Sequence, residues 1–418
     1  MNLITKLQKH LNPKQIELLN QVRSAAKTLE LPLYLVGGAV RDILLEQSVS
    51  DIDLVVEGEV NQIASSLEHS FSAEVLACSQ FNSIKINFLG HKIDISGSRK
   101  ETYGHPGALP TIQSGTIYED LNRRDFTINA LAMRLWPSPY GDLIDPLAGH
   151  NDILYRKLRI LHKESFQNDA TRIMRAVRYE QRLGLQLEQE TEAVLIRDLP
   201  FLETISGHRI SRELTIIFQE ENPIPIMVRL SQLGLLNMIS PIFPIERDTA
   251  YELEEIHKLV GELQPSHYLG WIVHPLDLDN AEIFIKRLSM SKKWATITRD
   301  VISVRQRIAD MDIHTSPMEL YATLHRFSAK AVEIVAALET NKGLKSNMVS
   351  YLDQHQNIKP FLSGEELIEL GLTQGSQVGE MLNLLIEAHI EKRVSSKLDE
   401  LYLVRKEINK PDLTSSVN

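Results

Sequence analysis

The sequence predicts an α+β protein: an N-terminal head built on a mixed β-sheet, followed by an all-α neck, body and tail. Two observations carry this prediction. Short β-branched or alternating segments cluster before residue 160, at 34–36, 51–56, 74–76, 83–87, 92–95, 130–135 and 158–160. Beyond that point apolar residues recur three or four apart, through 173–183, 194–199, 210–218, 226–236 and onward. Strands followed by a long helical run make an α+β head with a helical extension. Four segments are expected: a head over 1–160, a neck over 161–225, a body over 226–355 and a tail over 356–418. Breaks at Glu221-Asn-Pro-Ile-Pro225 and Pro241-Ile-Phe-Pro244 punctuate the helical part. The tail announces itself in Phe361-Leu-Ser-Gly-Glu-Glu366, a serine cap with an acid three residues on.

A chain of 418 residues can build several sizeable cores. Its one cysteine, Cys78, excludes a disulfide framework and a Cys-rich zinc site, and fits a reducing, cytoplasmic compartment. No apolar run approaches a membrane span, and the first ten residues read as an amphipathic helix start, not a signal peptide. The net charge of −10 argues against indiscriminate coating of nucleic acid but leaves room for a local basic groove.

The densest signal is Leu35-Val-Gly-Gly-Ala-Val-Arg-Asp42, followed by Ser50-Asp-Ile-Asp-Leu-Val-Val56. A strand runs into the glycines Gly37 and Gly38, whose backbone can approach an anion closely, with Arg41 near enough to neutralise it. The next strand then opens with Asp51 and Asp53, two carboxylates on one strand face. Such acids repel unless a cation lies between them, and Mg²⁺ takes one or two carboxylates together with substrate phosphates. A lone Asp-x-Asp is usually a solvated turn; a glycine pair, a helix and an Asp-x-Asp strand in succession are far rarer. Lys85 to Ile95 reads as a hairpin turning at Gly90-His91, with Asp94 between Ile93 and Ile95. An unpaired acid inside such a strand is costly, and beside Asp51 and Asp53 it completes a metal triad. Phosphate loop, metal carboxylates and arginine together point to nucleotidyl transfer.

Two further motifs carry chemistry. Glu119-Asp-Leu-Asn-Arg-Arg-Asp-Phe-Thr-Ile-Asn-Ala130 crowds charge onto an expected helix start. Arg124, Asp125 and the amide of Asn129 then face a site mouth, with a ribose hydroxyl as a suitable partner for the amide. Ser165-Phe-Gln-Asn-Asp-Ala-Thr-Arg-Ile-Met-Arg-Ala-Val-Arg-Tyr179 reads as one helix capped by Ser165 and stopped at Gly184. On it Asp169 and Arg172 lie at i and i+3, an acceptor and a donor fork suited to a base edge. Residues 156–182 carry eight Lys/Arg against three Asp/Glu, a stripe including Arg175 and Arg178 that suits triphosphate or RNA backbone.

These motifs resemble those of the class II tRNA nucleotidyltransferase and poly(A) polymerase family, within the DNA-polymerase-β-like nucleotidyltransferase superfamily. Residues 35–42 with Asp51 and Asp53 match its metal motif, 123–130 its ribose motif, and 168–172 its base-pairing element. Ile205-Ser-Gly-His-Arg-Ile-Ser-Arg-Glu-Leu214 resembles its later helical motif, with Arg209 and Glu213 at the polar positions. Near the end, Gly364-Glu-Glu-Leu367, Leu370-Gly371 and Gly375-Ser-Gln-Val-Gly379 resemble a terminal element thought to meet RNA. Two departures stand out. Asn168 replaces the usual acid before Asp169, and the loop over 98–110 does not disclose its nucleotide switch.

The resemblance implies template-independent addition of CMP and/or AMP to the 3′ end of tRNA from CTP and ATP. Asp51, Asp53 and Asp94 would bind two Mg²⁺ ions, and Gly37, Gly38 and Arg41 the triphosphate. Asp169 and Arg172 would act as a protein template, while the helical body and tail grip tRNA by shape and backbone. Full CCA addition, CC addition, A addition and poly(A) synthesis all remain open at this point. A catalytically silent RNA binder would have no need of three crowded acids. A fused HD phosphohydrolase is unsupported, since Pro275 follows His274.

Overall fold

The structure, a computed structural model, describes residues 1–409 except 50, 72, 80–81, 89, 106, 109 and 241–248. The expected break at 241–244, Ser50 of the acid motif, Pro106 of the loop and the polar terminus after 411 therefore lie outside the described residues. The chain forms two compact units, Met1–Pro241 and Ile242–Asn418.

The first unit opens with α1 (Ile4–His10) and α2 (Pro13–Thr28); Asn12 and Gln15 cap each other's backbone at the start of α2. Next come β1 (Leu33–Val36), α3 (Gly38–Leu44), β2 (Ile52–Val56), α4 (Val60–Phe71), β3 (Glu74–Ser79), β4 (Ser83–Phe88) and β5 (His91–Gly97). A separate antiparallel ribbon follows, β6 (Arg99–Thr102) with β7 (Thr111–Ser114). Then come α5 (Ile117–Asn122), a 3₁₀ turn Thr127–Asn129, β8 (Ala132–Trp136), β9 (Leu143–Ile144) and α6 (Gly149–Leu154).

The sheet has the order β3-β4-β5-β2-β1-β8-β9. Only β2 and β5 run parallel; every other neighbouring pair is antiparallel. The mixed sheet is thus as expected. All four β1 residues are buried, which is why Leu33–Val36 reads as a continuous apolar run. In β2 the burial is interrupted at one residue, Asp53.

The first unit continues with β10 (Lys157–Leu158), α7 (Ser165–Asn168), α8 (Thr171–Arg182), β11 (Gln186–Leu187) parallel to β10, α9 (Gln189–Asp198), α10 (Gly207–Phe218), α11 (Pro223–Gln232) and α12 (Leu235–Ile239). The second unit is helical among the described residues, from Thr249–Val260 to Lys397–Ile408. Its last part has a small core of its own around Leu362, Leu367, Met381, Leu385 and Val404. The expected Ser363 cap is present, reciprocated by Glu366. The fully buried Glu400 ties that part together, accepting from the backbone N–H groups of Phe361 (2.9 Å) and Leu362 (2.8 Å). No helix among the described residues is long and apolar enough to cross a membrane.

Four local expectations need correction. The segment 98–110, read as a loop, begins with strand β6, whose partner β7 lies beyond it; register with Ser114 to Thr111 orders both ends. The charge run at 119–125 sits at the C-terminal end of α5 rather than at a helix start, because Thr116 caps the helix three residues earlier. The strand expected at 130–135 starts at Ala132, since the 3₁₀ turn occupies the preceding residues. The strand expected at 158–160 shrinks to β10, with Ile160 making an isolated bridge to Phe126.

Gly149 packs so tightly on the 3₁₀ turn that a Cβ there would stand 2.1 Å from the Thr127 carbonyl oxygen, a backbone atom with no freedom to swing aside. Gly149→Ala is expected to cost about 1–3 kcal/mol by overpacking, read as a lower thermal unfolding midpoint.

Candidate active site

A cleft of about 560 Å³ opens in the first unit between the head sheet and α8, and nearly all of the expected site residues line it. Its floor is the turn from β1 into α3. Gly37 holds φ +65° and caps α3. An added Cβ at Gly37 would stand 2.6 Å from Arg124 Nη1, so glycine is required both for the backbone and for the close approach of that guanidinium. Arg41 is buried behind the loop: Nε donates to Asp42 Oδ1 (2.8 Å) and Nη1 to Asn129 Oδ1 (2.7 Å).

The three candidate metal acids come from adjacent strands. Parallel pairing puts Asp53 directly opposite Asp94, which sets their Cα atoms about 5 Å apart. Asp51 lies just before β2 and two residues from Asp53, about 7 Å along an extended chain. Asp51 and Asp53 line the cleft, while Asp94 lies one strand over, outside its lining. Asp94 is exposed rather than enclosed by its isoleucines, and Lys85 Nζ sits 3.1 Å from its Oδ2. Among the described residues, no three His, Cys, Asp or Glu side chains converge tightly enough as they stand to hold a metal ion. The donor set is nonetheless of the right kind, hard carboxylate oxygens on rigid strands. Asp53 also shows the strain of crowding. Desolvation first pushes its carboxyl above the usual range, the charges of Asp94 and Asp51 push the same way, and Arg124 opposes them.

Asn129 and Asp125 form a hydrogen-bonded relay across the cleft wall. Asn129, buried as expected, accepts from Arg41 and donates from Nδ2 to Asp125 Oδ1 (3.0 Å). Asp125 also accepts from the Phe126 N–H (2.9 Å) and from Arg175 Nη2 (2.5 Å). Burial alone would raise Asp125, but the Arg175 charge and the Asn129 amide hold its carboxyl below the usual range.

Helices α7, α8 and α10 supply the last wall and the largest departures from expectation. Residues 165–182 are two helices, not one, so Asp169 and Arg172 are not i and i+3 neighbours on a continuous helix. Asp169 ends α7 in extended conformation (φ −147°, ψ 100°), and its Oδ1 accepts from the Thr171 N–H (3.0 Å), bracing the start of α8. Ser165 is the first residue of α7, not the cap of α8. Its hydroxyl instead accepts from Arg172 Nη1 (2.8 Å), while Arg172 Nη2 donates to the Arg123 carbonyl (2.7 Å). Asp169 and Arg172 still share the cleft, together with Asn168, and Arg209 Nη2 on α10 donates to Asp169 Oδ1 (2.6 Å).

Arg178 does not reach the cleft. It is buried against the Tyr179 ring, 4.7 Å from its centroid, and donates to Glu220 Oε1 (2.9 Å). One turn earlier and on nearly the same helix face, Arg175 lines the cleft and bonds Asp125, whereas Glu220 draws Arg178 away. Much of the basic stripe is likewise neutralised: Arg159 pairs with Asp152, Lys163 with Glu190 and Arg182 with Glu220. Glu213 is buried beneath Arg175 and Arg178, and burial pushes its carboxyl up.

Sequence reasoning missed Asp120, Glu101 and Tyr103. Asp120 grips both Arg123 and Arg124. Glu101, at the cleft, accepts from Arg123 Nη1 (3.1 Å) and from the Tyr103 hydroxyl (2.8 Å). The acid two residues after Arg99 and the acid three residues before the Arg-Arg pair are the available signals; both resemble ordinary surface charge.

Comparison with known proteins agrees with this geometry. Residues 33–159 match the poly A polymerase head domain, and residues 184–246 match the probable RNA and SrmB-binding site of polymerase A. The chain is 31% identical to an A-adding tRNA nucleotidyltransferase of Geobacter sulfurreducens over 94% of this chain and 47% of that protein. It is 28% identical to the A-adding enzyme of Halalkalibacterium halodurans over 98% of this chain and 96% of that one. The chain thus spans about half the length of the Geobacter relative. Among solved structures, a CCA-adding enzyme in an apo form superposes with a TM-score of 0.80 at 26% identity, covering 97% of this chain and 99% of that one.

A carboxyl whose folded pKa lies above its unfolded value binds its proton more tightly in the folded state, so stability is lost as pH rises through that value. For Asp53, raised by desolvation and by Asp94 and Asp51, ionisation therefore comes at the expense of stability. Asp53→Asn is expected to raise the thermal midpoint in buffer free of divalent ions.

Proposed function

Because the chain belongs to the class II tRNA nucleotidyltransferase and poly(A) polymerase family, we propose that it adds CMP and/or AMP to the 3′ end of tRNA without a nucleic-acid template. The observation that carries this reading is one cleft shared by strand aspartates, a glycine turn and the Asp169–Arg172 pair. The 3′-hydroxyl of the RNA attacks the α-phosphorus of a nucleoside triphosphate. A bond forms to that oxygen as the bond to the β-phosphate oxygen breaks, and pyrophosphate leaves.

Each wall of the cleft has a part in this reaction. Asp51, Asp53 and Asp94 would hold two Mg²⁺ ions, which when bound acidify the attacking hydroxyl and neutralise the triphosphate. The Gly37–Gly38 backbone lets the phosphates come close, with Arg124 lying against it. Asp125 and Asn129 orient the ribose from their braced positions. Arg172 spends part of its five N–H donors on Ser165 and Arg123 and keeps the others for a base edge. Asp169 supplies the acceptor. Catalysis on such a frame is mainly positioning and charge neutralisation. The helical part beyond residue 226 would hold the tRNA by shape and backbone.

Likeness to the A-adding enzymes of Geobacter and Halalkalibacterium favours the terminal AMP step over the CC steps. Incubation with tRNA ending at the discriminator base, at C and at CC, each with labelled CTP or ATP, tests both levels. AMP added once, to the CC end, is the expected result. CMP addition overturns the finer reading, and long A tails or no extension overturn the broader one. Asp53→Ala is expected to abolish incorporation while tRNA binding, read by gel shift, persists. Arg172→Ala is expected to blur the choice between ATP and CTP by about 1–3 kcal/mol, seen as a ratio of kcat/KM values, with tRNA affinity little changed.

A further inference from the structure

Asp120 touches neither the glycine turn nor the strand acids, and it is fully buried at the end of α5. A lone buried carboxylate is costly, and this one is satisfied in an unusual way. Its Oδ1 accepts from Arg123 Nε (2.9 Å) and Nη2 (2.7 Å), and its Oδ2 accepts from Arg124 Nε (3.3 Å) and Nη2 (2.9 Å). One carboxylate thus fixes two successive guanidiniums, one by each oxygen. Burial works against its ionisation, but the Arg124 and Arg123 charges prevail and keep it below the usual carboxylate range.

Both arginines line the cleft. Arg124 is pressed against the glycine turn, its Nη1 only 2.6 Å from where a Gly37 Cβ would stand. Arg123 reaches Glu101 through Nη1, while its carbonyl receives Arg172 Nη2 at 2.7 Å. Arginine side chains lose much rotamer entropy when held. A buried anion that accepts four N–H bonds bears that cost before any nucleotide arrives.

We propose that Asp120 is a positioning residue that sets Arg124 at the triphosphate end and, through Arg123, Arg172 at the base end of the same bound nucleotide. This rests on the nucleotidyl-transfer reading but is separable from it, because its first readout is nucleotide binding without RNA. The full chain and its Asp120→Asn variant are titrated with a fluorescent ATP analogue, which is then displaced with ATP and with CTP. Asn keeps the shape but loses the charge and one acceptor. The expected result is roughly tenfold weaker ATP binding and a several-fold smaller ATP-to-CTP ratio. Steady-state extension of a CC-ended tRNA should then show the loss in KM, with kcat changed much less.

Action through Arg124 is checked with Arg124→Gln and the double variant. Non-additive losses, the double variant binding ATP about as weakly as Arg124→Gln alone, are expected. Additive losses overturn the proposal, as does an Asp120→Asn protein with unchanged ATP affinity and selectivity. Should Asp120→Asn fail to fold, Arg123→Lys serves in its place: lysine cannot span Asp120 and Glu101 together. It is expected to shrink the ATP-to-CTP ratio, and an unchanged ratio overturns the proposal. A wild type that binds ATP yet extends no tRNA defeats the function reading and leaves this one standing.

Discussion

Parallel pairing of β2 with β5 brings Asp53 opposite Asp94 in a sheet that is otherwise antiparallel, and the rest of the site answers to that crowding of negative charge. Adjacent carboxylates at sheet spacing repel, so the surroundings supply cations: Lys85 on Asp94, and Arg124 near Asp53. Neither removes the crowding, as the raised Asp53 carboxyl records. A strand pair of this kind is a standing demand for a hard cation. Its place at the mouth of a cleft with a glycine turn makes a triphosphate the natural carrier of further charge.

The arginines of the cleft are held rather than loose. Arg41 is tied to Asn129, Asn129 to Asp125, and Asp125 to Arg175, which carries the order from α3 through the 3₁₀ turn to α8. Arg172 is braced by Ser165 and the Arg123 carbonyl, and Arg209 by Asp169. Tyr179 forms a hub, with Arg41, Arg175 and Arg178 arrayed about its ring and Phe126 meeting it edge-on at 5.9 Å. Buried charge-assisted networks of this kind are costly if half satisfied and rigid if complete. Rigidity of this kind is what the proposed selection of a base without a template strand requires of side chains.

The legible part of this protein was the part that depends on local rules. Strand alternation, the glycine pair, the hairpin through Gly90 and the Ser363 cap are short-range consequences of side-chain type, and they hold in the structure. Reading failed where a single residue interrupts a pattern. Asp169 looked like a helical position because apolar spacing continues around it, yet its side chain bonds to the Thr171 N–H and takes the backbone out of the helix. Arg178 is like its neighbours in a basic stripe, and only its stacking on Tyr179 and its ion pair with Glu220 remove it from the cleft.

From the sequence alone came the acids, the glycines, the arginine-rich neck and the α+β order of the chain, because these rest on residue identity and spacing. Tertiary structure decided which of those charges face one another. Asp94 meets Asp53 through a strand register some forty residues apart, Arg172 finds the carbonyl of Arg123, and Asp120 closes on two arginines in a core with no exposure to water. Such pairings are set by burial, where an unpartnered charge is penalised several-fold more than in solvent, and burial is a property of the folded chain that no window of sequence contains.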